Sequence, residues 1–539
     1  MPIGRLLVAN RGEIALRVFR ACRALGIETV AVAAPDDTAS LHARSADTSV
    51  AISSYLQSEE HIRAAREAGA DAVHPGYGFL AERGDFAEAV EAAGLTWIGP
   101  PPEALRLGGD KITAKRIARE AGVPVLADGT ADEVGFPLLV KAAAGGGGRG
   151  MRVVRTSEEL EDALAAAGRE AEGAFADGTL YCERYIERPR HVEVQLLADA
   201  YGNVIAVGDR DCSVQRRHQK VLEEAPAPRL AGALRARLHE AAVAFGRAIA
   251  YRSAGTVEFV VEGDAFFFLE LNGRIQVEHP VTEAVTALDL VERQLRIAEG
   301  EALASNYDES TGHAVEVRLY AEDPRTFLPQ AGRIERLRLP TDAVRVDSGV
   351  EEGDEIGLAY DPMIAKLVAH AGTRHDALDL LATALAETEV GGVTTNLPFL
   401  RWLVAHPVVR AGETTTAFLT EHPPLTAPPL LRAAAPLRRP WRLNLSPPPP
   451  AAPPDVDLES HRPGAAAGES TVTAPMPGTV IRVEVRPGDS VHARQSLVVL
   501  EAMKMEIPVH SPFDGTVKGV HAAEGDQVAG GALLVELEA

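Results

Sequence analysis

Cysteine is nearly absent from this chain: three in 539 residues, Cys22, Cys182 and Cys212, far apart in sequence. That excludes a disulfide framework and points to a reducing cytoplasm. Aromatic residues make up only 5%, and no apolar run approaches the roughly 20 residues of a membrane span. The opening residues do not read as a signal peptide. Lys and Arg (54) are outnumbered by Asp and Glu (77), giving a net charge of −23. This disfavours a general nucleic-acid or anionic-membrane binder. A dinucleotide fingerprint is missing too. The first hundred residues alternate strand and helix, as a parallel α/β fold does, yet NRGEIA (10–15) offers only Gly12 where GxGxxG would stand. No nicotinamide or flavin is expected.

What the chain does have is length, enough for roughly three to five domains. Residues 1–110 read as α/β: RLLVAN (5–10), a helix on Ile14, Val18, Cys22 and Leu25, ETVAVAA (28–34), and helices near 59–68 and 84–93. In 111–310, FPLLVK (136–141) runs into AAAGGGGRGMRVV (142–154), a hairpin with a mobile tip. The runs 191–198, 203–210, 255–263 and 265–272 then read as consecutive antiparallel strands. Residues 311–421 are mixed. Residues 422–470 hold 13 of the 36 prolines and cannot join a sheet interior. They read as a linker reaching on the order of 100 Å. The expected class is a multidomain α/β and α+β protein ending in a small all-β sandwich over 471–539.

That last segment repeats itself. GTVIRVEVRPGDSVHARQSLVVLE (478–501) aligns without gaps to GTVKGVHAAEGDQVAGGALLVELE (515–538), an offset of 37. Two copies imply two similar β-layers related by an approximate twofold. Lys504, between Met503 and Met505, falls where a hairpin joins the copies. A lysine amine held out on such a turn can be acylated by a carboxylate cofactor such as biotin or lipoic acid.

Several clusters carry chemistry of their own. GGGGRG has no side chains to obstruct backbone N–H groups around a triphosphate. Glu258 and Glu270 sit in strands otherwise apolar, where carboxylates are costly unless paired or metal-bound. Arg274, Gln276 and Glu278 fall at i, i+2, i+4 and would point one way from an extended segment. QRRHQK (215–220) concentrates positive charge. Taken alone, each has a plainer reading: a flexible loop, an acidic pair neutralised by arginine, a structural Arg–Glu pair, a solvated basic face.

Together they resemble a known family. APMPG (474–478) with EAMKMEI (501–507) resembles the biotinyl domain of biotin-dependent carboxylases. ANRGEIALR (9–17), HPGYGFLAE (74–82), GGGGRGMRVV (145–154), PRHVEVQ (189–195), RDCSVQRRHQKVLEEAPAP (210–228), NGRIQVEHPVTE (272–283) and AEDPRTFLP (321–329) resemble biotin carboxylase, an ATP-grasp enzyme, over about 3–421. The resemblance implies the alpha subunit of an acyl-CoA carboxylase, of acetyl- or propionyl-CoA type. It implies an ATP-grasp domain over 111–310 with a lid at about 125–185, and biotin on Lys504. It places ATP at Lys111, Lys141, Gly147, Gly148, Glu183, the backbone of Arg184 and Ile186, His191, Gln215 and His218. Two Mg²⁺ or Mn²⁺ fall to Glu258, Glu270 and Asn272. Bicarbonate falls to Lys220, Arg274, Gln276 and Val277, with Glu278 as its base, and Arg318 matches the arginine that stabilises the biotin enolate.

Implied partners are a separate carboxyltransferase beta subunit, a biotin protein ligase, and further copies of the carboxylase domain in a homo-oligomer. Two rival readings are a carboxylase for a non-CoA acceptor and a non-catalytic biotin carrier on an ATP-grasp scaffold. Three departures bear on them. Gly273 stands where the family has threonine, Lys-Ala-Ala-Ala precedes the glycines, and the stretch from Gly122 to Lys141 is short. The proline-rich segment also stands where many such subunits carry a β-rich docking domain.

Overall fold

The computed structural model describes residues 2–142, 151–175, 178–216, 219–304, 310–423, 471–474, 478–492, 495–502, 505–528 and 531–538. Gly147, Gly148, His218 and Lys504 fall outside them.

The N-terminal sheet is fully parallel: β1 (Arg5–Val8), β2 (Glu28–Ala33), β3 (Thr48–Ala51), β4 (Ala72–His74) and β5 (Thr96–Trp97), in the order β3-β2-β1-β4-β5. Helix Gly12–Leu25 buries Ile14, Val18, Phe19 and Cys22 against it. The strand order reverses between β1 and β4, the switch point of such a sheet. Two motifs 65 residues apart in sequence meet there. The Asn10 side-chain amide donates to the carbonyls of Pro75 (2.8 Å) and Tyr77 (2.7 Å). Gly76, at φ +63°, is required for this approach, since a Cβ there would stand 2.8 Å from Asn10 Nδ2.

A small sheet follows: β6 (Asp128–Gly129), β7 (Leu138–Ala142), β8 (Arg152–Val154) and β9 (Leu180–Arg184), ordered β6-β9-β7-β8. β7 and β8 form the expected antiparallel pair, Leu138 opposite Val154.

The central sheet has eight strands. β10 (Arg190–Ala198), β11 (Val204–Arg216), β12 (Gln219–Ala225), β13 (Ser253–Glu262) and β14 (Ala265–Asn272) come from the second segment. The third adds β15 (His313–Tyr320), β16 (Gly332–Arg333), β17 (Arg336–Arg338), β18 (Arg345–Ser348), β19 (Glu355–Ile356) and β20 (Met363–Ala371). The order is β14-β13-β10-β11-β12-β15-β20-β18, with β16, β17 and β19 outside the sheet. The four apolar runs are therefore not neighbours in simple succession. Helix Gly232–Ala248 carries the chain back across β10 and β11, so β13 pairs with β10. β12 pairs with β15, so one sheet runs through residue 310.

Every residue of β15 is buried. Val315, Val317 and Leu319 face an apolar cluster with Ile364, Leu367 and Leu381; full burial of each such side chain stabilises by about 1.5–3 kcal/mol. Glu316 and Arg318, alternating with them, turn to the opposite face.

The C-terminal domain holds two four-stranded sheets. β22 (Thr471–Thr473), β29 (Leu533–Glu538), β27 (Gly515–Val520) and β24 (Ser490–Val491) form one. β26 (Met505–His510), β25 (Ser496–Ala502), β23 (Gly478–Val483) and β28 (Gln527–Val528) form the other. The repeat gives two equivalent layers, but the copies interleave: β24 of the first pairs with β27 of the second, and β28 of the second with β23 of the first. Val480, Leu497, Leu500, Val517, Leu534 and Leu537 fill the space between. Ala502 at the end of β25 pairs with Met505 at the start of β26.

Cys22, Cys182 and Cys212 are free and buried. Among the described residues no helix is long and apolar enough to cross a membrane.

Candidate active site

The central sheet gathers its charged side chains around one ammonium group. Lys220 Nζ on β12 lies 2.5 Å from Glu193 Oε2, 2.7 Å from Glu258 Oε1 and 2.6 Å from Glu278 Oε1. Glu278 Oε2 in turn accepts from Arg318 Nη2 at 2.9 Å. Burial opposes the charge on Glu278, but Lys220, Arg318 and Arg210 hold its carboxyl below the ordinary carboxylate range. The same neighbours work on Lys220 in reverse: burial disfavours its charge, and the three carboxylates raise it well above a free lysine. His191 Nε2 sits 2.9 Å from Glu258 Oε2; despite burial, Glu258 and Glu193 keep the imidazole charged up to about pH 9.

Arg274, Gln276 and Glu278 do converge here, but not along an extended strand. β14 ends at Asn272, and the chain turns into helix His279–Thr286 with Glu278 at its N-cap. The turn, rather than strand alternation, aims Glu278 at Lys220. Gln276 Nε2 donates to Glu258 Oε1 (2.8 Å), and Arg274 Nη2 to Asn272 Oδ1 (2.9 Å). Gly273 does not loosen the turn. Its N–H donates to Glu82 Oε1 at 3.1 Å, which also lies 3.1 Å from Arg274 Nε through Oε2, and a Cβ at 273 would stand 2.7 Å from Leu105 Cδ2. The Val277 carbonyl accepts from Lys366 Nζ at 2.9 Å. Lys366 also meets Glu13 (3.2 Å), to which the Tyr77 hydroxyl donates, so the loop is held from the first and third segments alike.

Glu258 and Glu270 stand directly opposite across β13 and β14, beside the Thr256–Asn272 pair. Like charges so placed repel, and Lys220 and His191 already offset part of that on Glu258. Two carboxylates and an amide are the hard oxygen donors a divalent cation such as Mg²⁺ or Mn²⁺ takes, so these residues fit one.

At the nucleotide end, Lys141 Nζ on β7 donates to Glu183 Oε2 on β9 at 2.8 Å, and Lys115 bonds the other oxygen. Burial and the neighbouring charge of Lys111 pull the Lys141 ammonium down to about 8. Lys111 opens helix Lys111–Glu120. Arg184 donates its N–H to the Ala127 carbonyl (2.9 Å), and Ile186 is buried beside it. Gln215 Nε2 donates to the Cys212 carbonyl at 2.9 Å. Of the residues singled out from sequence, His218, Gly147 and Gly148 lie outside the described residues.

Sequence reasoning missed the residue that ties the site together. Arg210, fully buried on β11, donates to Glu193 Oε1 (2.5 Å), Gln195 Oε1 (2.8 Å), Thr282 Oγ1 (2.7 Å), Thr256 Oγ1 (3.0 Å) and Gln276 Oε1 (2.7 Å). It fixes Gln276 and the carboxylate behind Lys220 at once. Glu193, Lys366, Glu13 and Lys115 were missed as well. Their signal was available: like Glu258, Glu193 and Lys366 are charges set in apolar strands. Arg210→Lys keeps the charge but loses the planar fork. It is expected to raise the KM for bicarbonate at least about tenfold and to destabilise by roughly 3 kcal/mol, read by steady-state kinetics and chemical denaturation.

The comparisons with known proteins follow this geometry. Four family descriptions match in order: "Biotin carboxylase, N-terminal domain" over 2–105, "Carbamoyl-phosphate synthase L chain, ATP binding domain" over 110–306, "Biotin carboxylase C-terminal domain" over 316–421 and "Biotin-requiring enzyme" over 470–537. The alpha3 subunit of a biotin-dependent acyl-coenzyme A carboxylase from Mycobacterium leprae is 44% identical over 562 residues, covering 94% of each chain. The mitochondrial methylcrotonoyl-CoA carboxylase alpha subunit of Arabidopsis thaliana is 47% identical over 445 residues; the match covers 78% of this chain and 61% of that longer protein. The biotin carboxylase domain of Hydrogenobacter thermophilus 2-oxoglutarate carboxylase, solved as a dimer with MgADP, ADP and bicarbonate, superposes with a TM-score of 0.77 at 43% identity, covering 78% of this chain and 98% of that one. The chain belongs to the biotin carboxylase family, in the form of a biotin-dependent acyl-CoA carboxylase alpha subunit that carries carboxylase and biotinyl domains in one polypeptide.

Proposed function

We propose that this chain carboxylates biotin borne on its own Lys504, using ATP and bicarbonate, and serves an acetyl- or propionyl-CoA carboxylase whose carboxyltransferase is a separate beta subunit. The observation that carries the reading is the clamp on Lys220, whose ammonium meets Glu193, Glu258 and Glu278 while Glu278 in turn meets Arg318.

The residues divide the work by position. Arg274 and Lys220 receive bicarbonate as a fork and a point charge, with Gln276 oriented by Arg210. As the anion draws Lys220 from Glu278, the carboxylate is freed to accept the bicarbonate proton. Lys111 and Lys141 bind phosphate oxygens, and Glu183 with Arg184 and Ile186 holds the base of the nucleotide. The γ-phosphoryl group then passes to the bicarbonate oxygen, giving carboxyphosphate and ADP. Glu258, Glu270 and Asn272 would hold the divalent cations, which neutralise phosphate charge when bound. Carboxyphosphate splits to CO₂ and phosphate, and the phosphate is the acceptor for the ureido N–H proton; bound biotin would supply the nitrogen that takes CO₂, and Arg318 would stabilise negative charge on that group. Covalent attachment to the same chain, or to a neighbouring copy, raises the local concentration of biotin at the pocket.

Incubating the biotinylated protein with labelled bicarbonate and MgATP is expected to place label on the biotinyl domain and to release ADP. Intact biotinylation without label would refute the reading. Adding purified beta subunit with acetyl-, propionyl- and longer acyl-CoAs then reads the acceptor; transfer to a non-CoA acceptor alone would overturn that part.

A further inference from the structure

Beneath the base lies a layer of charge that the reaction so far leaves unused. β12 and β15 pair antiparallel with Glu223 directly opposite Glu316, so their Cβ atoms stand about 4.5–5.5 Å apart on one face. Both side chains are fully buried. Among the described residues, no oxygen of Glu316 or of Glu223 has a partner in hydrogen-bond geometry. Glu223 Oε1 lies 2.5 Å from Arg318 Nη2, the same nitrogen that reaches Glu278 Oε2 at 2.9 Å.

The surrounding charges are mostly committed elsewhere. Lys366 on β20, opposite Arg318, is engaged by Glu13 at 3.2 Å and the Val277 carbonyl at 2.9 Å, with Asp347 of β18 at 4.0 Å. Lys220 on β12 is held by three carboxylates. Arg210 and the Cys212 thiol on β11 face the same region, the former bound to Glu193. Glu223 is thus left with the Arg318 guanidinium as its close cation, Glu278 is shared between Arg318 and Lys220, and Glu316 feels the charges of Lys366 and Arg318 without pairing with either among the described residues. Two like carboxyls side by side in a buried site do not both ionise.

We infer that Glu223 and Glu316 hold one proton between them and act as a positioning pair for Arg318. With the proton on Glu316, the Glu223 carboxylate draws the guanidinium back from the pocket; with the proton on Glu223, Arg318 is released toward substrate. The proton passes from one carboxyl oxygen to the other, and rising pH gives it up to solvent. Burial, against the pull of Arg318, pushes Glu223 up to about 7, and burial moves Glu316 well above the ordinary carboxylate range. Release of Arg318 is therefore greatest below about pH 7 and is lost as the pair ionises fully.

The kinetic half of the test rests on the carboxylation reading; the spectroscopic half does not. Infrared difference spectra of the biotinylated full chain near neutral pH are expected to show a buried protonated-carboxyl C=O band, shifted in D₂O and lost in Glu316→Gln, where Glu223 no longer has a carboxyl to share with. With free biotin as substrate, Glu316→Gln leaves no neighbouring carboxyl to hold the shared proton, so Arg318 is held back throughout the neutral and alkaline range. kcat/KM for biotin near neutrality is expected to fall about tenfold and its alkaline decline to vanish. Glu223→Gln removes the tether, and kcat/KM in the alkaline range is expected to rise about threefold over the parent protein. A merely structural role would lower both variants alike with unshifted pH profiles, and that result would overturn the inference. So would a parent spectrum with no band that either substitution removes. A parent protein that never carboxylates biotin would tell against the function itself, and the infrared result would still decide the pair.

Discussion

Glu278→Gln is expected to lower bicarbonate-dependent ADP formation by about 10²–10⁴-fold while ATP binding stays intact. Glutamine fills the same volume, and Lys220 keeps Glu193 and Glu258 as partners, so the fold should survive. What disappears is the acceptor for the bicarbonate proton. Glu278 is also the carboxylate shared between Lys220 and Arg318, so the amide weakens one contact of each cation without providing a base. The loss should fall on kcat, since Arg274, Gln276 and Lys220 still bind the anion. Turnover measured with free biotin, alongside calorimetric ATP binding, separates the two. Unchanged turnover would remove Glu278 from the role of base.

Lys504→Arg is expected to abolish label transfer to the carrier completely. Arginine keeps the positive charge, but its guanidinium is too weak a nucleophile to be acylated by an activated carboxyl group. Intact-protein mass spectra of chains made with a biotin ligase should show one adduct for the parent and none for the variant. Free biotin added in excess should still take up label from bicarbonate, which separates loss of the recipient from damage to the pocket. An adduct persisting in the variant would move the attachment site elsewhere.

How much of this could be read from the chain alone depends on the range of each signal. The α/β opening was legible because alternation of strand and helix is local, as was the repeat behind the C-terminal sandwich. Lys220, Glu258 and Glu278 were legible because they sit in ordered motifs, and the structure brings them to one point. The partners that govern them were not. Glu193 and Arg210 lie inside quoted motifs, yet only the pairing of β10 with both β11 and β13 sets them against Lys220. Glu223 and Glu316 meet because β12 pairs with β15, a register between strands from different segments. No local pattern carries that information. The same limit explains the strand order: helix Gly232–Ala248 returns the chain to β10, and no local pattern says on which side it does so. The interleaving of β24 and β28 was hidden likewise, since a repeat shows that two copies are alike and not how they exchange strands. The reading of 274–278 as extended failed for a simpler reason, because helix His279–Thr286 begins within the motif and bends it.

The three thiols lie at 0%, 5% and 0% exposure, and burial pushes the Cys22 thiol up to about 12 and raises Cys182 and Cys212 too. Almost no thiolate is presented to solvent, so maleimide reagents and mild oxidants find nothing to react with in the folded chain. A single cysteine introduced at an exposed carrier position such as Glu524, with a second on the exposed Tyr201, would then be the only labelled pair. Fluorescence energy transfer between dyes at those two points can follow the biotinyl domain's travel during turnover without first stripping native thiols from the protein.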